Sequence, residues 1–523
     1  MKLVFDSIEL SPFEKEEDLS LKLTALYGLP VNTPFKVLRK SLDARDKAAI
    51  VWRYRIEADV PDNAAGNLLK MPGTSPAMEV PVYLPAGNLL KPLNVIIVGA
   101  GPAGLFCALR LIERGAAVTV IERGKPVEER MADIELLKKG GVLNEESNVL
   151  FGEGGAGTYS DGKLTTRIRR PEINWMLDKL IEMGAPLSIR YEQKPHLGTD
   201  RLKDIIKNIR QCILSSGSQI KFFEKACSLI LHESRATGLI TQTGNEYTAD
   251  AVVLACGHSA RDTYEMLKNT GVILEKKGFA AGLRAEHPAA LINRIQYGTF
   301  ADKGVLPAAE YVLTFNNRST GRGTYSFCMC PGGEVINSSS ERGMLCINGM
   351  SYSKRCGSFS NAAIVVTIMP EDIPGDALAG IDFQRLLERG AFSAGGGGFN
   401  APAQRITSFL ADRKDSTLPE SSFMPGLNPS DHAYLPGWIV SEIRLALRIF
   451  EKKMKGYITE EALFIGVETR TSSPVRILRG EDMQSVSIPG LYPVGEGAGY
   501  AGGIVSSAVD GIRAADAILS GNA

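Results

Sequence analysis

Net charge is the first thing this 523-residue sequence lacks, since 59 lysines and arginines meet 59 aspartates and glutamates. Without a global positive field to collect phosphates, general nucleic-acid binding is disfavoured, and small molecules are the expected partners. Zinc-type cysteine pairing is missing as well. The 8 cysteines are scattered, with no CxxC matched to a second CxxC or to HxxxH, so no metal is expected. The thiols read as reduced, as in a cytoplasmic chain. Nor is there a long hydrophobic run: the longest, Val95 to Leu111, is broken by glycines and falls short of the roughly 20 residues that cross a bilayer. The opening MKLVFDSIELSPFEKEED has neither the basic start nor the small-residue cleavage site of an export signal. Glycine, by contrast, is abundant: 54 residues, about 10% against a usual ~7%. At roughly 150 residues per domain, the length suggests about three domains.

Residues 1–90 are expected to form a small α+β, ferredoxin-like module. Asp18 is placed to cap a helix carrying Leu19, Leu23 and Leu26 on one face, ended by Gly28 and Pro30. A strand-like FKVLRKSL follows, and then Ile50, Trp52, Tyr54, Ile56 and Ala58 alternate with polar neighbours at the period of a half-buried strand. The basic stretch Arg39, Lys40, Arg45 and Lys47 is expected to be a solvated loop rather than an RNA patch. Residues 61–92, rich in Pro, Gly and Ala, read as a linker or covering strap.

At Asn94 the pattern changes to NVIIVGAGPAGLFCALRLIERGAAVTVIERG, a buried strand, a glycine turn, a helix and a second strand. Gly99 allows the tight turn, with Ala100 beside it. Gly101 leaves room for a pyrophosphate, and Gly104 lets the helix pack against the strand. Pro102 and Ala103 open the helix, whose first amides and positive dipole end would face phosphates. Glu122, ending the second strand, is positioned to accept hydrogen bonds from both ribose hydroxyls. Arg123 and Arg130 follow as candidates for adenosine or pyrophosphate contacts. A lone glycine fingerprint is weak evidence, but one in register with strand, helix, strand and acid specifies a dinucleotide site.

Far downstream, LYPVGEGAG (491–499), then YAGGIV and a helix, resemble the C-terminal signature of glutathione-reductase-like FAD proteins. That resemblance implies FAD, with Gly495 and Glu496 at the ribityl chain and a helix opening at Gly502, Gly503 and Ile504 toward the flavin N1 side. In the same proteins a three-stranded excursion returns to a sheet strand ending in a small-residue turn. Cys256 and Gly257 take that place here, and Ala226 would offer backbone to the adenine. The loop FGEGGAGTYSDGKL (151–164) resembles one that packs against flavin and pyrophosphate through Gly154 and Gly155. Neither it nor SAGGGGFNAPAQR (393–405) has the flanks of a second nucleotide fold, so NAD(P)H is considered only as an external donor without its own domain.

Taken with KSLDAR, GLRAEHP, YSFCMCPGGEV, NGMS and ETRTSSPVRI, these landmarks make the whole chain similar to the uncharacterised FAD-dependent, NAD(FAD)-utilising dehydrogenases. The implied fold class is α/β. A discontinuous Rossmann-like FAD domain (93–270 plus 488–523) would be split by an inserted mixed-sheet substrate domain (271–487). The implied activity is hydride transfer between flavin N5 and a small molecule. Candidate catalytic residues are Arg284, for a carboxylate; His287, as proton shuttle; and Cys330, which with Cys328 is expected to share a strand face. An internal Arg284–Glu286 pair and buried, inert cysteines are the competing expectations. Arg470 and Arg476 are further anion candidates, and His258 is expected to be structural. A flavin-dependent RNA-modifying protein, encouraged by Arg167, Arg169 and Arg170, and a non-catalytic flavin-binding redox partner are the alternative functions. The sequence leaves the oligomeric state open.

Overall fold

In the computed structural model, which describes residues 1–78, 89 and 91–521, the N-terminal sheet forms around one apolar face built from alternating residues of two paired strands. Leu3, Phe5 and Ile8 of the first lie opposite Ala58, Ile56 and Tyr54 of the other, with Leu10 continuing the row. Strands Lys2–Leu10, Phe35–Asp43, Val51–Asp59 and Thr74–Pro76 pair antiparallel in the chain order second, third, first, fourth. Helices Leu19–Tyr27 and Asp62–Leu68 provide the crossovers of a ferredoxin-like βαββαβ unit, and Leu19, Leu23, Ala65 and Leu68 close its core.

Several local expectations change here. The Asp18 carboxylate accepts the Lys15 amide at 2.8 Å, closing a preceding turn instead of capping the helix, and Leu26 is exposed. Arg39 and Lys40 lie on a strand, not in a solvated loop; Lys40 bonds Glu16 at 2.8 Å and sits over the Trp52 ring. The segment read as a linker begins with the helix Asp62–Leu68, and the rest of it lies partly outside the described residues.

The run Val95–Val98 is apolar throughout because its strand is buried on both faces at the centre of a parallel sheet. The five strands, in spatial order, are Leu491–Pro493, Ala251–Leu254, Asn94–Val98, Ala117–Ile121 and Gln219–Lys221. Helices Pro102–Ile112, Gly198–Ser215 and Ile504–Ser520 share the core on one face. The other face is covered by helix Arg261–Asn269 and by the antiparallel excursion Ala226–His232, Arg235–Thr241 and Glu246–Thr248. This is a Rossmann-like fold whose last strand and helix come from the chain terminus.

Between those parts the chain builds a seven-stranded sheet ordered Thr314–Asn317, Arg322–Cys330, Phe359–Ile368, Phe279–Pro288, Leu463–Glu468, Ala401–Arg405 and Leu427–Pro429. Its pairs are antiparallel except the last, which is parallel. Helix Gly437–Lys453 buries Ile439, Ile443, Leu447 and Phe450 against it. Strands Leu274–Lys276 and Val475–Ile477 form a ribbon where the chain leaves and rejoins the parallel sheet. Opposite Phe359–Ile368, the register slips between Phe327 and Cys330, with Cys328 at φ 45°. A bulge of this kind inserts a residue and breaks alternation, so Cys328 and Cys330 do not share a strand face. Phe327 and Cys330 do, opposite Ala363 and Asn361.

Candidate functional site

The carboxyl ends of the parallel strands converge on a cavity of about 390 Å³, where open α/β sheets place their ligands. Two features make its first stretch suitable for a dinucleotide diphosphate. Gly99 turns the chain at φ 104°, and a Cβ there would overlap the Ala255 carbonyl, lying 2.9 Å from its carbon. Helix Pro102–Ile112 then opens at Gly101 without a side-chain cap, leaving first-turn amides for an anion. A Cβ on Gly104 would lie 3.2 Å from the Gly99 carbonyl carbon, so this glycine sets how closely helix and turn approach. Gly99, Gly101, Pro102 and Ala103 line the cavity; Ala100 and Gly104 stand behind it as supports.

Glu122 lines the cavity too, but its carboxylate already gathers three backbone donors. Ala100 N–H donates at 2.8 Å, Gly124 N–H at 2.9 Å and Gly152 N–H at 3.0 Å. Of the roughly four lone-pair sites on a carboxylate, about one stays open. Glu122 can therefore take one ribose hydroxyl, not the two expected. Arg123, also on the cavity wall, forks onto Asp262 at 2.9 Å and bonds Glu146 at 2.6 Å, which offsets its charge.

Arg130 does not reach the cavity. Fully buried, it donates to the carbonyls of Asn148, Val149 and Glu153 at 2.7, 2.8 and 2.7 Å. These bonds fix the start of the glycine loop, so the residue shapes the site instead of touching a ligand. Gly154 also stands behind the wall; its amide is tied to the Ala100 carbonyl at 2.7 Å, while Gly155 faces inward.

Farther along, Ala226, Cys256 and Gly257 border one side of the cavity. Gly495, Glu496, Gly502, Gly503 and Ile504 border another, and helix Ile504–Ser520 also opens without a side-chain cap. Among the described residues no hydrogen-bond donor meets the Glu496 carboxylate. Burial pushes its pKa up to about 8, against the pull of Lys277. An acid held neutral near pH 7 can donate a hydrogen bond as well as accept one.

The far wall comes from the region between the two halves of the nucleotide fold: Phe327 and Cys328 from the bulge of the seven-stranded sheet, Asn348 from the strand Ile347–Met350 of a separate two-stranded sheet, and Arg470 with Thr471 just beyond the strand Leu463–Glu468. Arg470 is not available to an anion, because it forks onto buried Glu388 at 2.9 and 2.8 Å, as Arg261 does at 2.8 and 3.0 Å. Arg476 lies over the Tyr500 ring, outside the wall. His258 borders the cavity; burial, with Arg470 and Arg261, lowers its pKa to about 3 and keeps it neutral.

All three proposed catalytic side chains are displaced from the cavity. Arg284 is buried at the sheet centre and bonds Glu468 at 2.7 Å and Asn361 at 2.7 Å. Its partner is Glu468 rather than Glu286, which accepts from Ser422. His287 is fully buried away from the cavity wall and bonds the Tyr457 carbonyl at 2.8 Å, and burial lowers its pKa to about 4. Cys330 is buried behind Cys328.

Asp161, Lys163 and Asn348 are among the polar wall residues that the sequence pattern does not single out. Lys163 pairs with Asp161 at 3.1 Å and donates to the Met329 carbonyl. Burial opposes the charge on Asp161, but Lys163 and Arg355 outweigh it and hold the carboxyl below its usual range. The sequence signal was Lys163 in SDGKL, the end of the glycine-rich loop. Among the described residues, no cluster of three His, Cys, Asp or Glu is arranged to hold a metal, and no helix is long and apolar enough to cross a membrane.

Two family models match, one described as pyridine nucleotide-disulphide oxidoreductase over residues 93–285, the other as FAD-dependent protein, C-terminal domain-like, over 278–471. An uncharacterised protein of Clostridium beijerinckii is 46% identical over 428 residues, spanning 81% of this chain and 80% of its own. Solved structures are more remote. CtdE in complex with FAD is 11% identical, covering 81% of this chain and 83% of its own, with a TM-score of 0.32. E. coli quinol fumarate reductase FrdA is 14% identical over 83% and 70%, TM-score 0.36. Glycine oxidase of Bacillus cereus is 11% identical over 82% and 98%, TM-score 0.31.

Proposed function

Since the chain belongs to a family of FAD-dependent oxidoreductases, we propose that it transfers a hydride between flavin N5 and a small molecule held against the seven-stranded sheet. FAD is the cofactor, and when bound it supplies a two-electron carrier. The observation that carries the proposal is the continuity of the cavity from the uncapped helix at Gly101 to the wall of Phe327, Cys328 and Asn348.

In this assignment the turn from Gly99 to Ala103 holds the diphosphate, and Glu122 one ribose hydroxyl. Glu496 meets a ribityl hydroxyl, and the helix opening at Gly503 offers its positive end at the far side of the cavity. Substrate is left to Lys163 and Asn348. The ammonium, steadied by Asp161, would hold an anionic or carbonyl oxygen, while Phe327 excludes water from the same wall. The electron donor is assigned outside the chain, with NAD(P)H one candidate.

An anaerobic screen of the purified holoprotein against NADH, NADPH and fractionated metabolites tests this. At least one should bleach the visible flavin absorption rapidly, and Lys163→Met should slow the active one. No bleaching by any of them, while dithionite reduces the flavin, would instead favour a non-catalytic redox partner. Arg167, Arg169 and Arg170 are exposed, which keeps an RNA-modifying activity as a second reading. Salt-sensitive retention of RNA would support it, and no retention at low salt would remove it.

A further inference from the structure

The cavity wall brings two thiols and two cations to one strand bulge. Cys328 faces the cavity, and the Cys330 sulfur lies 3.3 Å from the Cys328 carbonyl. The Lys163 ammonium bonds the Met329 carbonyl, so its charge sits over the residue between the two cysteines. From behind, Arg284 Nη1 donates to the Cys328 carbonyl at 3.3 Å. In a flat strand, residues two apart have Cα atoms about 7 Å apart, beyond the usual disulfide range of roughly 4.4–6.8 Å. The bulge departs from that geometry: the Cys330 sulfur folds back to the Cys328 carbonyl, and the two thiols come within hydrogen-bonding reach of each other.

We propose that Cys328 and Cys330 are a redox-active dithiol that exchanges two electrons with FAD bound in this cavity. On oxidation two S–H bonds break and one S–S bond forms; the two electrons and two protons pass to oxidised FAD, which becomes FADH2. The reverse transfer restores the thiols. The proposal rests on FAD occupying the cavity as assigned above, and it adds a second two-electron store in the substrate wall.

The local charges suit this chemistry. The hydrogen bond from Cys330, then Lys163 and Arg284, hold the Cys328 thiol below its ordinary range against the effect of burial, favouring the thiolate that attacks and leaves in disulfide chemistry. Cys107, in the first nucleotide helix, is fully buried, and burial pushes its pKa well up. It has no such setting.

The test is an anaerobic dithionite titration of air-oxidised holoprotein, in parallel with Cys328→Ser and Cys330→Ser. Wild type should take four electrons per FAD and each variant two, with the flavin bleaching over a different part of the titration once the pair is broken. Differential alkylation and mass analysis of the tryptic peptide 323–342, which contains only these two cysteines, should find a disulfide in oxidised wild type and free thiols after reduction. Two electrons in all three proteins, or free thiols in the oxidised peptide, overturns the proposal. Because the flavin still accepts its own two electrons in that case, the hydride-transfer assignment would survive. The peptide measurement needs no variant, so a substitution that fails to fold does not protect the idea.

Discussion

Replacing Glu122 with alanine removes the acceptor shared by the amides of Ala100, Gly124 and Gly152, at 2.8, 2.9 and 3.0 Å. A buried amide left without a partner costs at least about 1 kcal/mol, so the three together amount to about 3 kcal/mol. The loss falls on the cradle itself, because these amides belong to the phosphate turn, the bend after the second strand and the glycine loop. If it is expressed wholly in binding, FAD affinity drops roughly a hundredfold. Glu122→Gln should not restore it, since its NH2 group would oppose at least one backbone N–H. Titration of apoprotein into FAD, followed by flavin fluorescence, reads this directly. A change of less than about threefold in the alanine variant would mean that Glu122 does not hold the cradle together.

Other perturbations probe separate parts of the fold. Gly99→Ala combines φ 104° with overlap of the Ala255 carbonyl, and should cost about 1–3 kcal/mol and abolish tight FAD retention; a normally yellow variant would show that the turn tolerates a side chain. Glu388→Ala leaves Arg261 and Arg470 buried without their shared carboxylate, so a loss of about 3–5 kcal/mol is expected in thermal or urea unfolding, and an unchanged midpoint would count against the network. His287 and His432 are held neutral by burial, with pKa values of about 4 each, against roughly 6.5 in an unfolded chain. The unfolded state therefore binds more protons in that window, and stability should fall as pH drops from about 6.5 toward 4, by about 2 kcal/mol per histidine at about pH 5. Calorimetry should show the falling midpoint, with His287→Gln flattening it; a flat profile between about pH 7 and 5 would contradict the assignment.

The nucleotide fold was legible because its signals are local. A buried strand, glycines at Gly99, Gly101 and Gly104, and an acid at Glu122 lie within one βαβ unit, so spacing alone places them around a common point. Arg284 and His287 show what spacing does not carry. Strand Phe279–Pro288 lies inside a seven-stranded sheet and is buried along nearly its whole length, so Arg284 and His287 serve its interior, although a sequence pattern cannot tell interior from wall. The bulge at Cys328 depends on register against Phe359–Ile368, a pairing between segments far apart in the chain. Lys163 was hidden for the opposite reason, as one polar residue in a loop whose glycines drew all the notice.

Hydride transfer through FAD in this cavity can be read from anaerobic reduction of the purified holoprotein. FAD should be released on denaturation, and a nicotinamide or metabolite donor should bleach the bound flavin while Lys163→Met slows that reaction. A flavin that dithionite reduces, but that no such donor bleaches, would contradict it.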